Sequence, residues 1–132
     1  MLGSMDTNLP WVAIVDDEDA VRRALLRLLR AAGIPARSFA TGAALLAALP
    51  DGAPYCAVLD VHMPGMSGFE LQALLADAAP RTGAVFVTGH DLADVEARAM
   101  RRPPVAYLLK PVNDRLLLDA IGLARAAWNT EF

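Results

Sequence analysis

One cysteine, Cys56, occurs in the 132 residues. That excludes an internal disulfide framework and fits a reducing, cytoplasmic compartment. Set inside YCAVL, the thiol reads as a small, inert core residue. Basic charge is not in excess: the net charge is −3, so no positive field exists to attract nucleic acid or an anionic membrane surface. The longest apolar stretches, such as WVAIV and AVFV, are far too short to span a bilayer. The opening MLGSMDTN lacks the charged-then-apolar pattern of a signal peptide. Gly3-Ser4 before Met5, and Glu131-Phe132 at the far end, read as cloning remnants. The sequence also lacks internal repeats, low-complexity tracts and interdomain linkers. Gly-x-x-x-x-Gly-Lys is absent, which excludes a P-loop nucleotide enzyme.

What the sequence does have is apolar residues, 55 % of the total, ample for one packed core and too many for a disordered chain. Five short apolar runs recur: Trp11 to Val15, a weaker one at Ala36 to Phe39, Tyr55 to Leu59, Ala84 to Thr88, and Val105 to Leu109. Most show no polar alternation, the pattern of parallel strands buried on both faces. Amphipathic segments separate them. From Glu18 to Ala32, Val21, Leu25, Leu28 and Leu29 share one face, and Gly33 and Pro35 supply a stop. Further helices are predicted over 41–49, 68–78, 91–102 and 113–128, the last with Asn113 or Asp114 as N-cap. Strand and helix alternate five times, so the expected architecture is a doubly wound α/β fold, a five-stranded parallel sheet with five helices. One domain over 10–128 is expected, with tails at 1–9 and 129–132.

In such sheets, ligands bind beyond the carboxyl ends of the strands, where strand order reverses. The residues delivered there are Asp16, Asp17, Glu18 and Asp19 after the first strand, and Asp60 at the third. Thr88, Gly89 and His90 follow from the fourth strand, and Lys110-Pro111 from the fifth. Packed carboxylates repel one another and raise each other's pKa values. Magnesium, which favours one or two carboxylates, waters and a substrate phosphate, removes that conflict. A nearby carboxylate could then attack phosphorus, while Lys110 balances phosphoryl charge and Thr88 donates a hydrogen bond to a phosphoryl oxygen.

DDED after the first strand, DVHMPGMSG around Asp60, TGH after the fourth strand and YLLKP at the fifth together resemble the receiver domain of two-component response regulators. The likeness runs from about Trp11 to Trp128 with the motifs in the family's order. It implies a flavodoxin-like sheet of order 2-1-3-4-5 and a phosphoryl transfer from a sensor histidine kinase to Asp60. It further implies Asp17 as a direct Mg2+ ligand, Asp16 acting through water, Asp60 completing the carboxylate set, and the His62 carbonyl as a further ligand. Lys110 would contact the phosphoryl group ahead of a cis-prone Pro111, and Thr88 and Tyr107 would form the switch pair. Output would be read on the face of helix four, strand five and helix five, by an output domain, a target protein or a second copy. The TGH and MPGMSG wording is similar to receivers that precede a helix-turn-helix domain, so the chain is either a single-domain regulator or a receiver cut from a longer one. Side chains flanking the phosphorylation site in the family, here His62 and His90, influence acyl-phosphate lifetime. One departure concerns the output face: Arg101-Arg102-Pro103-Pro104 stands where the family commonly has Gly-Ala, and Pro cannot take the left-handed cap that Gly supplies.

Plainer roles compete at each position. Asp16-Asp17 could compensate a helix dipole, Asp60 could cap a turn, Thr88 could simply favour a strand and Lys110 could be a solvated strand-end charge. Tyr107 suits a static core aromatic as well as a moving one. The Arg22, Arg23, Arg27 and Arg30 set reads as a solvated helix face. Met63, Met66 and Met100 read as packing residues, and Trp128 fits either the body of the domain or a partner interface. His62 and His90 lack the spacing partners of a zinc site. Two other functions remain in view. A pseudo-receiver would serve only binding or dimerisation. An aspartate-nucleophile phosphatase would need a second Asp two residues after the first, where His62 stands.

Overall fold

The structure is a computed structural model and describes residues 9–89 and 103–130. Its five strands are β1 (Val12–Val15), β2 (Ala36–Phe39), β3 (Cys56–Asp60), β4 (Gly83–Thr88) and β5 (Ala106–Leu109). They form one sheet of order β2-β1-β3-β4-β5, parallel at every pairing. Among the described residues the helices are α1 (Asp19–Ala31), α2 (Gly42–Ala48), α3 (Gly68–Ala78) and α4 (Asp114–Thr130), with a 3-10 turn at Leu49–Asp51. Four of the five predicted helices are thus in place. The predicted helix over 91–102 lies outside the described residues.

The central strands β1, β3 and β4 are buried at nearly every position because both faces of the sheet are covered, whereas the edge strand β2 carries the exposed Arg37. In β1, Val12 and Ile14 join Leu25 and Leu29 of α1 and Leu117 and Ile121 of α4. Ala13 and Val15 join Leu45 of α2 and Leu71 and Leu75 of α3 on the other face. Each fully buried side chain of this size contributes about 1.5–3 kcal/mol. Cys56 is buried, and burial pushes its thiol up to about 12, so it is a packing residue. Trp128 packs against the α1/α4 side of the core, with the Arg81 guanidinium 4.0 Å from its ring. That settles its place on the body of the domain.

Local signals set the helix boundaries. Gly33, at φ 75°, closes α1: its N–H donates to the Arg30 carbonyl, and the Ile34 N–H donates to Leu29. Asn113 caps α4 by accepting from the Leu116 N–H at 3.0 Å, and the helix runs to Thr130, two residues past its predicted end. Ser67 and Glu70 form a reciprocal capping box at the start of α3. The next residue, Gly68, lies so close to the end of β3 that a Cβ there would sit 2.5 Å from the Asp60 carbonyl oxygen. Glycine at 68 therefore lets α3 begin directly against the strand that carries Asp60. Pro103 and Pro104 are non-helical, while Arg101 and Arg102 lie outside the described residues.

Candidate functional site

The chain passes from β1 outward to β2, then returns to the other side of β1 as β3, so strand order reverses between β1 and β3. Val15 is paired with Leu59, which sets Asp16 and Asp60 level at the carboxyl ends of the two central strands. Both are buried, with 3 % and 5 % of their surface exposed, and Thr88 at the end of β4 is fully buried. Asp17 is exposed at the tip of the β1–α1 loop. Carboxylate oxygens of Asp16, Asp17 and Asp60 all lie within 4.8 Å of one another.

Lys110 reaches this cluster from the end of β5, where its N–H donates to the Thr88 carbonyl at 2.8 Å. Its Nζ stands 3.1 Å from Asp16 Oδ2, 3.4 Å from Asp60 Oδ1 and 3.7 Å from Glu18 Oε1. The peptide bond to Pro111 is cis. Burial pulls the Lys110 ammonium down, but the hydrogen bond with Asp16 and the charges of Asp60 and Asp16 outweigh it and hold its pKa above 10.5. One ammonium does not neutralise the cluster. Burial, followed by the Asp16 charge, pushes Asp60 up to about 6 against the pull of Lys110 and the His62 N–H. Deeply placed oxygens with surplus negative charge form a donor set suited to a hard divalent cation.

The remaining predicted residues are distributed around this cluster. The His62 backbone N–H donates to Asp60 Oδ1 at a long 3.4 Å, and its side chain is exposed. Tyr107 is partly buried, pairs with Phe86 in the sheet register and stacks on its ring at 6.3 Å. Thr88 is two residues beyond Phe86 on the same strand, so strand periodicity puts it on the face that carries Tyr107. Met63 and Met66 pack against the core as predicted. His90 and Met100 lie outside the described residues.

The arginines of α1 divide. Arg23, Arg27 and Arg30 are exposed as expected, but Arg22 is not part of that solvated face. Its Nη1 donates to the Asp16 backbone carbonyl at 2.7 Å and its Nη2 to Asp19 Oδ1 at 3.1 Å. A stripe of arginines on one helix looks uniform in sequence. The one signal available was that Arg22 lies in the first full turn, from where a long side chain can fold back over the acidic loop. Asp16 also has a turn-forming role, because its Oδ1 accepts from the Glu18 N–H at 2.9 Å.

Residues 12–122 match the family model of the response regulator receiver domain. The chain belongs to that family. Nodulation protein W of Bradyrhizobium diazoefficiens is 36 % identical over 113 residues, covering 86 % of this chain and 50 % of that protein. Transcriptional regulatory protein FixJ of Azorhizobium caulinodans is 35 % identical over 128 residues, covering 93 % of this chain and 59 % of the relative. The chain thus spans little more than half the length of these relatives. Among solved structures, a CheY-like receiver domain protein from Methanospirillum hungatei superposes with a TM-score of 0.85 at 27 % identity, covering 95 % of this chain and all of that one. Receiver domains are signalling modules of two-component systems rather than enzymes in the ordinary sense. No helix among the described residues is long and apolar enough to cross a membrane.

Proposed function

We propose that this receiver domain takes a phosphoryl group from a sensor histidine kinase onto Asp60 in a Mg2+-dependent reaction and thereby controls an output domain or partner. The supporting observation is the meeting of Asp16, Asp17 and Asp60 with the Lys110 ammonium at the point where strand order reverses. On this reading Asp17 and Asp60 hold the cation directly, Asp16 through water, and the His62 carbonyl adds a ligand. When bound, Mg2+ neutralises the carboxylates and polarises the phosphoryl oxygens. An Asp60 oxygen forms the new bond to phosphorus while the N–P bond of the phosphohistidine breaks, its electron pair returning to the imidazole. Lys110 stabilises negative charge on the phosphoryl oxygens, and the Thr88 hydroxyl donates to one of them.

An apolar crevice of about 360 Å³ opens beside Lys110 between α1 and the loop after β5, lined by Val21, Leu25, Leu28, Pro111 and Val112. It offers a resting place for apolar side chains of a phosphodonor protein. The acyl phosphate would bias two arrangements of the domain through Thr88 and Tyr107. On the output face, Leu109 of β5 and Leu116 and Leu123 of α4 are large apolar side chains left exposed, which suits an output domain, a target or a second copy. Residues 90–102, which include the predicted helix over 91–102, lie outside the described residues. The match spans only half or a little more of relatives that include a transcriptional regulatory protein, which supports a receiver joined to an output domain, of the helix-turn-helix kind on the family resemblance, with residues 10–128 as its folded unit.

The test is intact mass after incubation with acetyl phosphate, with and without Mg2+, for wild type and Asp60→Asn. A gain of about 80 Da only with Mg2+ and only in wild type is the expected result. No adduct, together with no response to beryllofluoride, would instead favour a pseudo-receiver that acts only by binding.

A further inference from the structure

We infer that Arg22 is a positioning residue for the acidic loop, holding Asp17 where it can act as a metal ligand. This rests on the Mg2+ reading of the site given above. Arg22 is only partly exposed, with 17 % of its side-chain surface accessible. Its planar fork spans two anchors, the Asp16 carbonyl at 2.7 Å and the Asp19 carboxylate at 3.1 Å. The Asp16 carbonyl and the Asp17 N–H belong to one rigid peptide plane. Fixing that oxygen therefore fixes the direction in which the chain enters Asp17, the one exposed member of the cluster.

The other supports act elsewhere. The Glu18 N–H steadies the Asp16 side chain, and Lys110 bridges Asp16 to Asp60. Among the described residues, the Arg22 hydrogen bond is the one that grips the peptide leading into Asp17. A guanidinium can reach a carbonyl and a carboxylate together through separate nitrogens, which a single ammonium nitrogen does with poorer geometry. Charge and positioning also predict opposite results. As a bare positive charge near a cation site, Arg22 would weaken metal binding, so removing it would tighten binding. As a positioning device, it would strengthen binding, and its loss would weaken it.

The experiment is a Mg2+ titration followed by backbone amide shifts, on wild type, Arg22→Gln, Arg22→Lys and Asp17→Asn, with thermal melts in chelator alongside. The expected result is a Kd for Mg2+ raised about tenfold in both Arg22 variants, at melting temperatures that stay close to wild type in chelator. Arg22→Lys guards against loss of folding, because it keeps the charge and most of the aliphatic stem. Unchanged or tighter Mg2+ binding in the Arg22 variants, while Asp17→Asn loses it, overturns the inference and leaves the Mg2+ reading standing. Loss of binding in Arg22→Gln with full retention in Arg22→Lys shows that the two-anchored guanidinium fork is not what holds the loop, and also overturns the inference. If wild type itself shows no Mg2+ response, the site reading and the inference fall together.

Discussion

Replacing Asp60 by Asn should stabilise the metal-free protein at neutral pH, even though it removes the residue on which the proposed function depends. In the fold, Asp60 is buried beside Asp16, and its pKa is pushed from 3.8 up to about 6. At about 1.4 kcal/mol per tenfold, that rise corresponds to about 3 kcal/mol. A raised carboxyl pKa means that the folded state holds the proton more tightly than the unfolded chain. Stability from this group is therefore fully present below pH 3.8, falls as pH rises and is gone above about pH 6. The neutral amide of the Asp60→Asn variant carries no such penalty. Urea denaturation in chelator, from pH 4 to pH 8, should show the two proteins nearly equal at pH 4 and the variant more stable by up to about 3 kcal/mol at pH 8. Added Mg2+ should narrow the gap at pH 8 by stabilising wild type selectively. A gap that does not change with pH, or a variant less stable at pH 8, would refute the view that Asp60 is electrostatically frustrated.

Three further outcomes follow from the same geometry. Lys110→Met removes the ammonium that bridges Asp16 and Asp60, and should cost about 3 kcal/mol in chelator at pH 8, part of it recovered in the double variant with Asp60→Asn; urea melts of the four proteins measure the coupling. Gly68→Ala places a Cβ 2.5 Å from the Asp60 carbonyl oxygen and 3.1 Å from Val61 Cα. Because backbone atoms yield little, it should lower stability by about 1–3 kcal/mol in a thermal or urea melt and slow acyl-phosphate formation in the intact-mass assay. Leu116→Glu, on an exposed position of α4, should change stability by no more than about 0.5 kcal/mol. If that face carries output, the same substitution should abolish any beryllofluoride-induced self-association seen by sedimentation.

Much of the fold was legible because burial on both faces leaves a plain mark. WVAIV, YCAVL and AVFVT are apolar without alternation, and the strands lie within a residue of those runs. Gly33 and Asn113 marked helix boundaries through local geometry that needs no tertiary partner. The carboxylates and Lys110 were legible for a different reason, since a charge at the end of a buried strand is costly unless something meets it. Arg22 was not legible, because its partner is a backbone carbonyl and backbone atoms carry no letter in the sequence. Nor was the choice for Trp128, where a ring near a helix end fits two surroundings equally until Arg81 is placed over it.

The sequence by itself determined the alternation of strand and helix, an apolar content ample for a packed interior, and the set of residues that any sheet of this kind must deliver to its carboxyl edge. Those properties follow from periodicity and strand-end position, which are local along the chain. Only the tertiary structure decided that Asp16 and Asp60 lie level across β1 and β3, that Lys110 reaches both from β5, and that Asp60 is held near 6 rather than 3.8. It also decided that Arg22 turns back to the Asp16 carbonyl while Arg23, Arg27 and Arg30 face solvent. Distances between residues far apart in the chain, and the burial that amplifies their charges, exist only once the sheet has closed its register.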